Sequence, residues 1–390
     1  MTSNVTGGSA RTAGRAAFAA LVLTTGVGLL GAATPAAAAP PQKTAVIVQL
    51  KPGADPDAES RRASNNGASI RHLYRDVFPG FAGEFPPQAL AGLRNNPRVE
   101  LIETDAVATT SAINQDPATW GLDRVDQRTL PLTGTFSYAN AAGTGVTAYI
   151  IDTGIAAHPD FGTRLGAGYT AITDATDTGD CNGHGTHVAG TVASTTYGVA
   201  KAAQLVPVRV LGCDGSGSWS GVIAGLDWAA RNHISGKAVA NTSLGGPANS
   251  SVDRAVQSLI NDGVTVAVAA GNSNANACNS SPARVNPALT VGATDTTDTR
   301  AGFSNYGSCL DLFAPGVNID SAWHTGATAT LSGTSMATPH VTGAAAVLLS
   351  TSPTDLPAAT VGSRLTSTAS AVVSARGSGS PNRLLYLPPQ

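Results

Sequence analysis

Three residues of this chain could together break an acyl bond. Ser335 lies in Gly333-Thr334-Ser335-Met336-Ala337-Thr338-Pro339-His340, just before the apolar run Val341–Leu349. That run is apolar nearly all round and reads as a buried helix. A serine at its start meets free backbone N–H groups and the positive end of the helix dipole. The hydroxyl could simply cap the helix, since serine is a favoured N-cap. It could instead be a nucleophile, which requires a base and an orienting acid elsewhere. His184 can be that base. It stands in Asn182-Gly183-His184-Gly185-Thr186-His187, where glycines admit close approach of another backbone. Asp152 can be the acid, at the end of the β-branched and apolar run Val146–Ile151.

The elements that must hold these residues are legible as a pattern. Val146–Ile151, Leu205–Leu211, Ala238–Thr242, Val264–Ala270 and Ala288–Gly292 read as buried strands. His184–Ser194, Trp219–Asn232, Ser250–Asn261 and Ser335–Ser350 read as the helices between them. Such alternation predicts an α/β fold, a largely parallel sheet with helices on both faces. Functional groups then gather at the carboxyl ends of strands. Asp152 is at such an end, and so is Asn272, after Ala269, Ala270 and Gly271. A metal site of Cys181, His184 and His187 is the competing reading. It lacks a fourth ligand, and Cys181 has a disulfide as its alternative fate.

Composition separates two pieces. Of 390 residues, 1–111 hold 10 Lys and Arg against 8 Asp and Glu, net +2. Residues 112–390 hold 13 against 17, net −4, and no Glu. A formal net charge of −2 excludes a polybasic binder of nucleic acid or membranes. Arg11 and Arg15 precede the apolar run Ala16–Ala33 and the tract Ala36–Ala39. Residues 1–39 therefore read as a secretory signal peptide, cut after Ala38, with no membrane segment once it is removed. The chain is expected to be extracellular. All four cysteines, Cys181, Cys213, Cys278 and Cys309, lie in the second piece. In a secreted chain they favour two disulfides, with three pairings open. Residues 44–107 read as strand, helix, strand or strands, helix, strand, a small α/β sandwich. Ala106–Asn114 reads as an exposed linker.

Asp152-Thr153-Gly154, the His184–Gly190 stretch and the Gly333–His340 stretch resemble the three signatures of the subtilases. The order Asp, His, Ser is that of subtilisin-type triads. Trp120–Arg124, Asn241–Gly246 and Phe303–Gly307 point to the proteinase K branch, and the cysteine positions resemble its aqualysin-like members. The resemblance runs from Trp120 to Leu385, and residues 44–110 resemble a subtilase propeptide. It implies a serine endopeptidase with Ser335 as nucleophile, His184 as base, Asp152 as orienting acid and Asn272 as oxyanion donor. Ser216, Gly217 and Ser218, with Ser243, Leu244 and Gly245, correspond to segments that clasp an extended peptide. Ala269, Ala270 and Gly271 correspond to a pocket wall suited to aromatic or large aliphatic side chains before the cut. The implied disulfides are Cys181–Cys213 and Cys278–Cys309. Each closes roughly 32 residues, about 3–4 kcal/mol in the chain-entropy model.

The resemblance further implies structural Ca2+ held by Asp311 with the carbonyls of Asn286 and Ala288, and no catalytic cofactor. Two other family sites look degraded. Thr133 and Thr135 stand beside Asp123, Asp126 and Gln127, and Thr170 and Ala175 replace aspartates. The expected organisation is signal 1–39, inhibitory and chaperone propeptide 40–112, peptidase domain 113–390. Expected partners are protein and peptide substrates and the chain's own propeptide, with the mature enzyme a monomer. Two alternatives belong to other classes: an inactive subtilase fold used as a binding module, and an inhibitor with 44–110 as its working part.

Overall fold

The structure is a computed structural model and describes residues 43–105 and 113–389. The signal segment and residues 106–112 of the expected linker lie outside the described residues. The chain divides into two compact units, one on each side of 106–112.

The first unit runs β1 (Thr44–Leu50), α1 (Pro56–Asn65), β2 (Ser69–Tyr74), β3 (Gly80–Phe85), α2 (Pro87–Arg94) and β4 (Val99–Thr104). Its antiparallel sheet has the order β2-β3-β1-β4. Alternation along β1 turns Val46, Val48 and Leu50 into the core with Phe81, Phe85, Leu90 and Leu93. Asp55 caps α1 by accepting the Asp57 N–H, and Pro56 occupies its first turn. The expected "strand or strands" between the helices is a hairpin, β2–β3.

The second unit opens with β5 (Ile113–Gln115), α3 (Trp120–Val125) and β6 (Phe136–Tyr138). Then come β7 (Val146–Asp152), β8 (Tyr169–Thr170), α4 (His184–Ala193), β9 (Gln204–Arg209), α5 (Trp219–Asn232), β10 (Lys237–Thr242) and β11 (Gly246–Pro247). The remainder is α6 (Ser250–Asn261), β12 (Thr265–Ala269), β13 (Ser280–Ser281), β14 (Leu289–Thr294), β15 (Leu312–Pro315), β16 (Ile319–Ala322), β17 (Thr328–Leu331), α7 (Thr334–Ser350) and α8 (Ala358–Thr368). Seven parallel strands form the sheet β15-β14-β12-β10-β7-β9-β8.

The pleat divides each strand between two cores. Val146, Ala148 and Ile150 of β7 pack with α4 and α7, through Val188, Val192, Val341 and Ala345. Tyr149 and Ile151 pack on the other face with α5 and α6, through Leu226, Val252 and Val256. Burial on both faces is why these strands read as continuous apolar runs. α7 is buried along almost its whole length, as its all-round apolar sequence requires.

Candidate active site

Asp152 is the last residue of β7 and is fully buried. Its Oδ1 accepts the Thr153 N–H at 2.8 Å and lies 2.7 Å from His184 Nδ1. His184 is the first residue of α4, so β7 and α4 must converge at their functional ends. Gly185 permits this. A Cβ there would lie 2.2 Å from the Gly154 carbonyl oxygen and 3.2 Å from Asp152 Cβ. Gly183, the α4 N-cap, has φ +106°, and a Cβ would strike the Trp323 ring at 2.3 Å. Both glycines beside His184 are thus demanded by close approach.

Asp180 organises the same corner. Its Oδ1 accepts from Thr153 Oγ1 and the N–H groups of Asn182 and Gly183, and its Oδ2 accepts from Thr186 N and Oγ1. Burial disfavours the charged form of His184. The charge and hydrogen bond of Asp152, with the charge of Asp180, outweigh it and hold the imidazole above its ordinary 6.5.

Ser335 is the second residue of α7. The N-cap is Gly333, so the capping reading of Ser335 does not hold. Thr334 and Met336 are buried while Ser335 is only half-buried. Its Oγ donates to the Ser243 carbonyl at 3.0 Å. Among the described residues no hydrogen bond joins Oγ to His184. Catalytic hydrogen bonds in ligand-free sites are commonly loose and tighten with substrate.

Asn272 follows β12 and Gly271. Its Oδ1 accepts from Thr334 N at 2.8 Å and Thr334 Oγ1 at 2.9 Å. Asn305 braces this loop: its Oδ1 accepts from Ser273 N and Ala275 N, and its Nδ2 donates to the Ala270 carbonyl. Sequence reasoning cited Asn305 only as a branch marker and overlooked Asp180. Both act largely by binding backbone groups, which leaves no pattern in a sequence.

Two clefts flank these residues. One, of about 430 Å3, is lined by Ser243, Leu244, Gly245, Ala269, Ala270, Gly271, Asn272 and Ser335. The other, of about 480 Å3, is lined by His184, Leu211, Ser216, Gly217, Trp219, Ser243, Leu244 and Gly245. Ser218 is not among the lining residues. Its Oγ caps α5 by accepting the Gly221 N–H at 3.1 Å. Trp219 both lines the second cleft and packs against the core under α5 and α6.

Disulfides join Cys181 to Cys213 and Cys278 to Cys309. The first ties the loop before His184 to the segment leading into Ser216. With Cys181 bonded to Cys213, a metal site through its thiolate falls away. His187 is buried, and its Nε2 faces the carbonyls of Ile319 and Ala329. Among the described residues no group of three or more His, Cys, Asp or Glu is placed to hold a metal.

Asp311 precedes β15 and contributes a single carboxylate. Its Oδ2 accepts the Thr290 N–H at 2.8 Å, and burial pushes its pKa up to about 6. Ala288 is buried and Asn286 exposed at the start of β14. One carboxylate with carbonyl oxygens is a hard-oxygen donor set, and a cation beside it would offset the desolvation. Asp123, by contrast, has both oxygens occupied by Gln127 Nε2, Thr133 and the Gly134 N–H.

A buried Asp paired with a partly exposed His, and a serine in the first turn of a helix, make up the residue set of a serine hydrolase site. Residues 143–384 match the model of the subtilase family, and residues 41–111 match that of peptidase inhibitor I9. The chain is 58% identical over 325 residues to an extracellular serine proteinase of Thermus sp. (strain Rt41A), covering 83% of this chain and 78% of that protein. It is 53% identical over 327 residues to alkaline serine exoprotease A of Vibrio alginolyticus, covering 81% of this chain and 60% of that longer protein. The crystal structure of a cold-adapted subtilisin-like serine proteinase superposes with a TM-score of 0.67 at 54% identity, over 70% of this chain and 99% of that one. The chain belongs to the subtilase family. It is a serine endopeptidase with an inhibitor-type segment before the peptidase unit.

Proposed function

We propose that Ser335 attacks the carbonyl carbon of an extended peptide while His184 takes the Oγ proton and returns it to the leaving amine. Asp152 holds the imidazole in the required tautomer and stabilises the imidazolium. The Ser335 N–H and Asn272 Nδ2 bind the oxyanion of the tetrahedral intermediate. The observation that carries this reading is the 2.7 Å contact of His184 Nδ1 with buried Asp152. Ser335 Oγ must turn from the Ser243 carbonyl toward His184 Nε2 when substrate binds.

The acyl side of the substrate lies along Ser243–Gly245 and Ser216–Gly217, pairing main chain to main chain. Such pairing ignores side chains and supports broad specificity. The small walls Ala269, Ala270 and Gly271 favour an aromatic or large aliphatic residue before the cut. Asp311 and the Asn286 and Ala288 carbonyls would hold a structural Ca2+, which supplies charge neutralisation to the fold and takes no part in the acyl chemistry.

Residues 1–39 act as a secretion signal, 40–112 as propeptide and 113–390 as the peptidase domain. The I9 match over 41–111 and the extracellular relative support this division and activity outside the cell. The mature enzyme acts as a monomer. The propeptide assists folding, inhibits the cleft and is removed by the enzyme itself. Mass spectrometry of the secreted product tests the reading. Wild type should begin near residues 111–114 and digest casein, while Ser335→Ala should begin near Ala39 and be inert. An alanine variant trimmed normally in a protease-free host would refute self-cleavage.

A further inference from the structure

Pro339 sits inside α7, four residues after Ser335. In an α-helix the carbonyl of residue i accepts the N–H of residue i+4. Proline has no N–H. The carbonyl of Ser335 therefore has no i+4 donor in the helix, at the residue proposed as nucleophile.

A side chain from a neighbouring segment fills the vacancy. Ser243 Oγ donates to the Ser335 carbonyl at 2.9 Å. Ser243 is buried, 3% exposed, just beyond β10. Its hydroxyl is oriented from behind. Asn241 Nδ2 donates to Ser243 Oγ at 2.8 Å, so the Ser243 proton is free to point at Ser335. Asn241 Oδ1 in turn accepts from Thr342 Oγ1 at 2.9 Å, about two turns beyond Ser335 on α7. The relay leaves α7 at Thr342, crosses Asn241 and Ser243, and returns to α7 at Ser335. Asn241 and Thr342 are as deeply buried as Ser243. The backbone carbonyl of the same Ser243 accepts the Ser335 hydroxyl.

We propose that Ser243 is a positioning residue for the nucleophile: its hydroxyl supplies, at the Ser335 carbonyl, the donor that Pro339 withholds from α7. This fixes the first turn of α7, and with it the direction of the Ser335 N–H and Oγ, to the segment that clasps the substrate. The inference rests on the reading of Ser335 as nucleophile, and goes beyond it by giving the Ser243 side chain a task separate from its main-chain contact with substrate.

A double-mutant cycle on the full chain tests it. Ser243→Ala should lower kcat about 10-fold with KM within about 2-fold, since misplacement of a reacting group acts on the chemical step. Pro339→Ala restores an N–H to the helix. In that background Ser243→Ala should cost no more than about 2-fold. Thr342→Ala, two hydrogen bonds further back, should lower kcat about 2- to 3-fold with the same KM split. Rates are normalised to folded protein by circular dichroism, and labelling of Ser335 by a phosphonylating reagent is followed in parallel. Equal losses in the two backgrounds, or a loss carried by KM, would overturn the role of Ser243. A wild type that takes no label at Ser335 would overturn the nucleophile reading itself, and this inference with it.

Discussion

Asn272 and Thr334 are joined twice: the Thr334 N–H and O–H both donate to Asn272 Oδ1, at 2.8 and 2.9 Å. Both bonds engage the acceptor end of the amide. The donor end, Nδ2, is thereby left free of Thr334 and lies beside Gly333, 3.4 Å from where a Cβ there would stand. An amide held this way is organised before any charge develops.

Asn272→Ala should therefore leave KM nearly unchanged and lower kcat by about 10²–10³. The magnitude is that of the corresponding loss in subtilisin, a member of the same family. Steady-state kinetics on a peptide anilide measure it. An unchanged kcat would remove Asn272 from the oxyanion site.

His184 must be neutral to accept the Ser335 proton, so activity is lost as pH falls through its pKa. Burial alone would move that pKa down, but Asp152 and Asp180 move it up, above 6.5. The acid limb of kcat/KM should accordingly lie above pH 6.5. Asp152→Asn removes the largest opposing charge, so the limb should shift to lower pH while kcat falls by about 10⁴. A pH profile whose acid limb does not move on this substitution would assign the limb to another group.

The proposed catalytic residues were legible because each is announced by its neighbours. Asp152 closes an apolar strand, and Ser335 opens an all-apolar helix. His184 sits between two glycines that close packing requires. The residues that support them were not. Asp180 and Asn305 bind backbone N–H groups of irregular loops, and such bonds impose no period on the sequence. Among the elements, β8 and β15 are too short to give a pattern of two. α8 escaped because Val361 and Leu365 are almost the only large apolar residues it buries. Ser218 was read as a cleft residue from its segment. Its hydroxyl also caps α5, a role its segment did not announce.

Asp311 offers a test of the proposed cation that does not depend on turnover. Its buried carboxyl has one backbone donor, and burial raises its pKa. A calcium ion there would stabilise the folded state by mass action. Chelation should lower the Tm of the wild type. Asp311→Asn should begin with the lower Tm and respond little to chelator. Calorimetry on Ser335→Ala protein avoids autolysis during the scan. An equal response of both proteins to chelation would place the ion elsewhere.

Two buried histidines outside the reaction should contribute to the acid limit of the fold. His187 and His340 are each 1% exposed or less, and burial is the main cause pushing both pKa values down to about 4. His187 Nε2 faces two carbonyls, and His340 Nδ1 faces the Met336 carbonyl. The unfolded chain binds a proton at each near pH 6.5, the folded chain only near 4. Stability from these groups is complete above 6.5 and falls as pH drops toward 4, by about 1.4 kcal/mol per pKa unit for each group. Thermal melts of Ser335→Ala protein between pH 4 and 8 should show this slope. His340→Gln keeps a polar group of similar size but cannot titrate, so it should lower Tm at neutral pH and flatten the slope between 6.5 and 4. A slope unchanged in that variant would trace the acid loss to carboxylates instead.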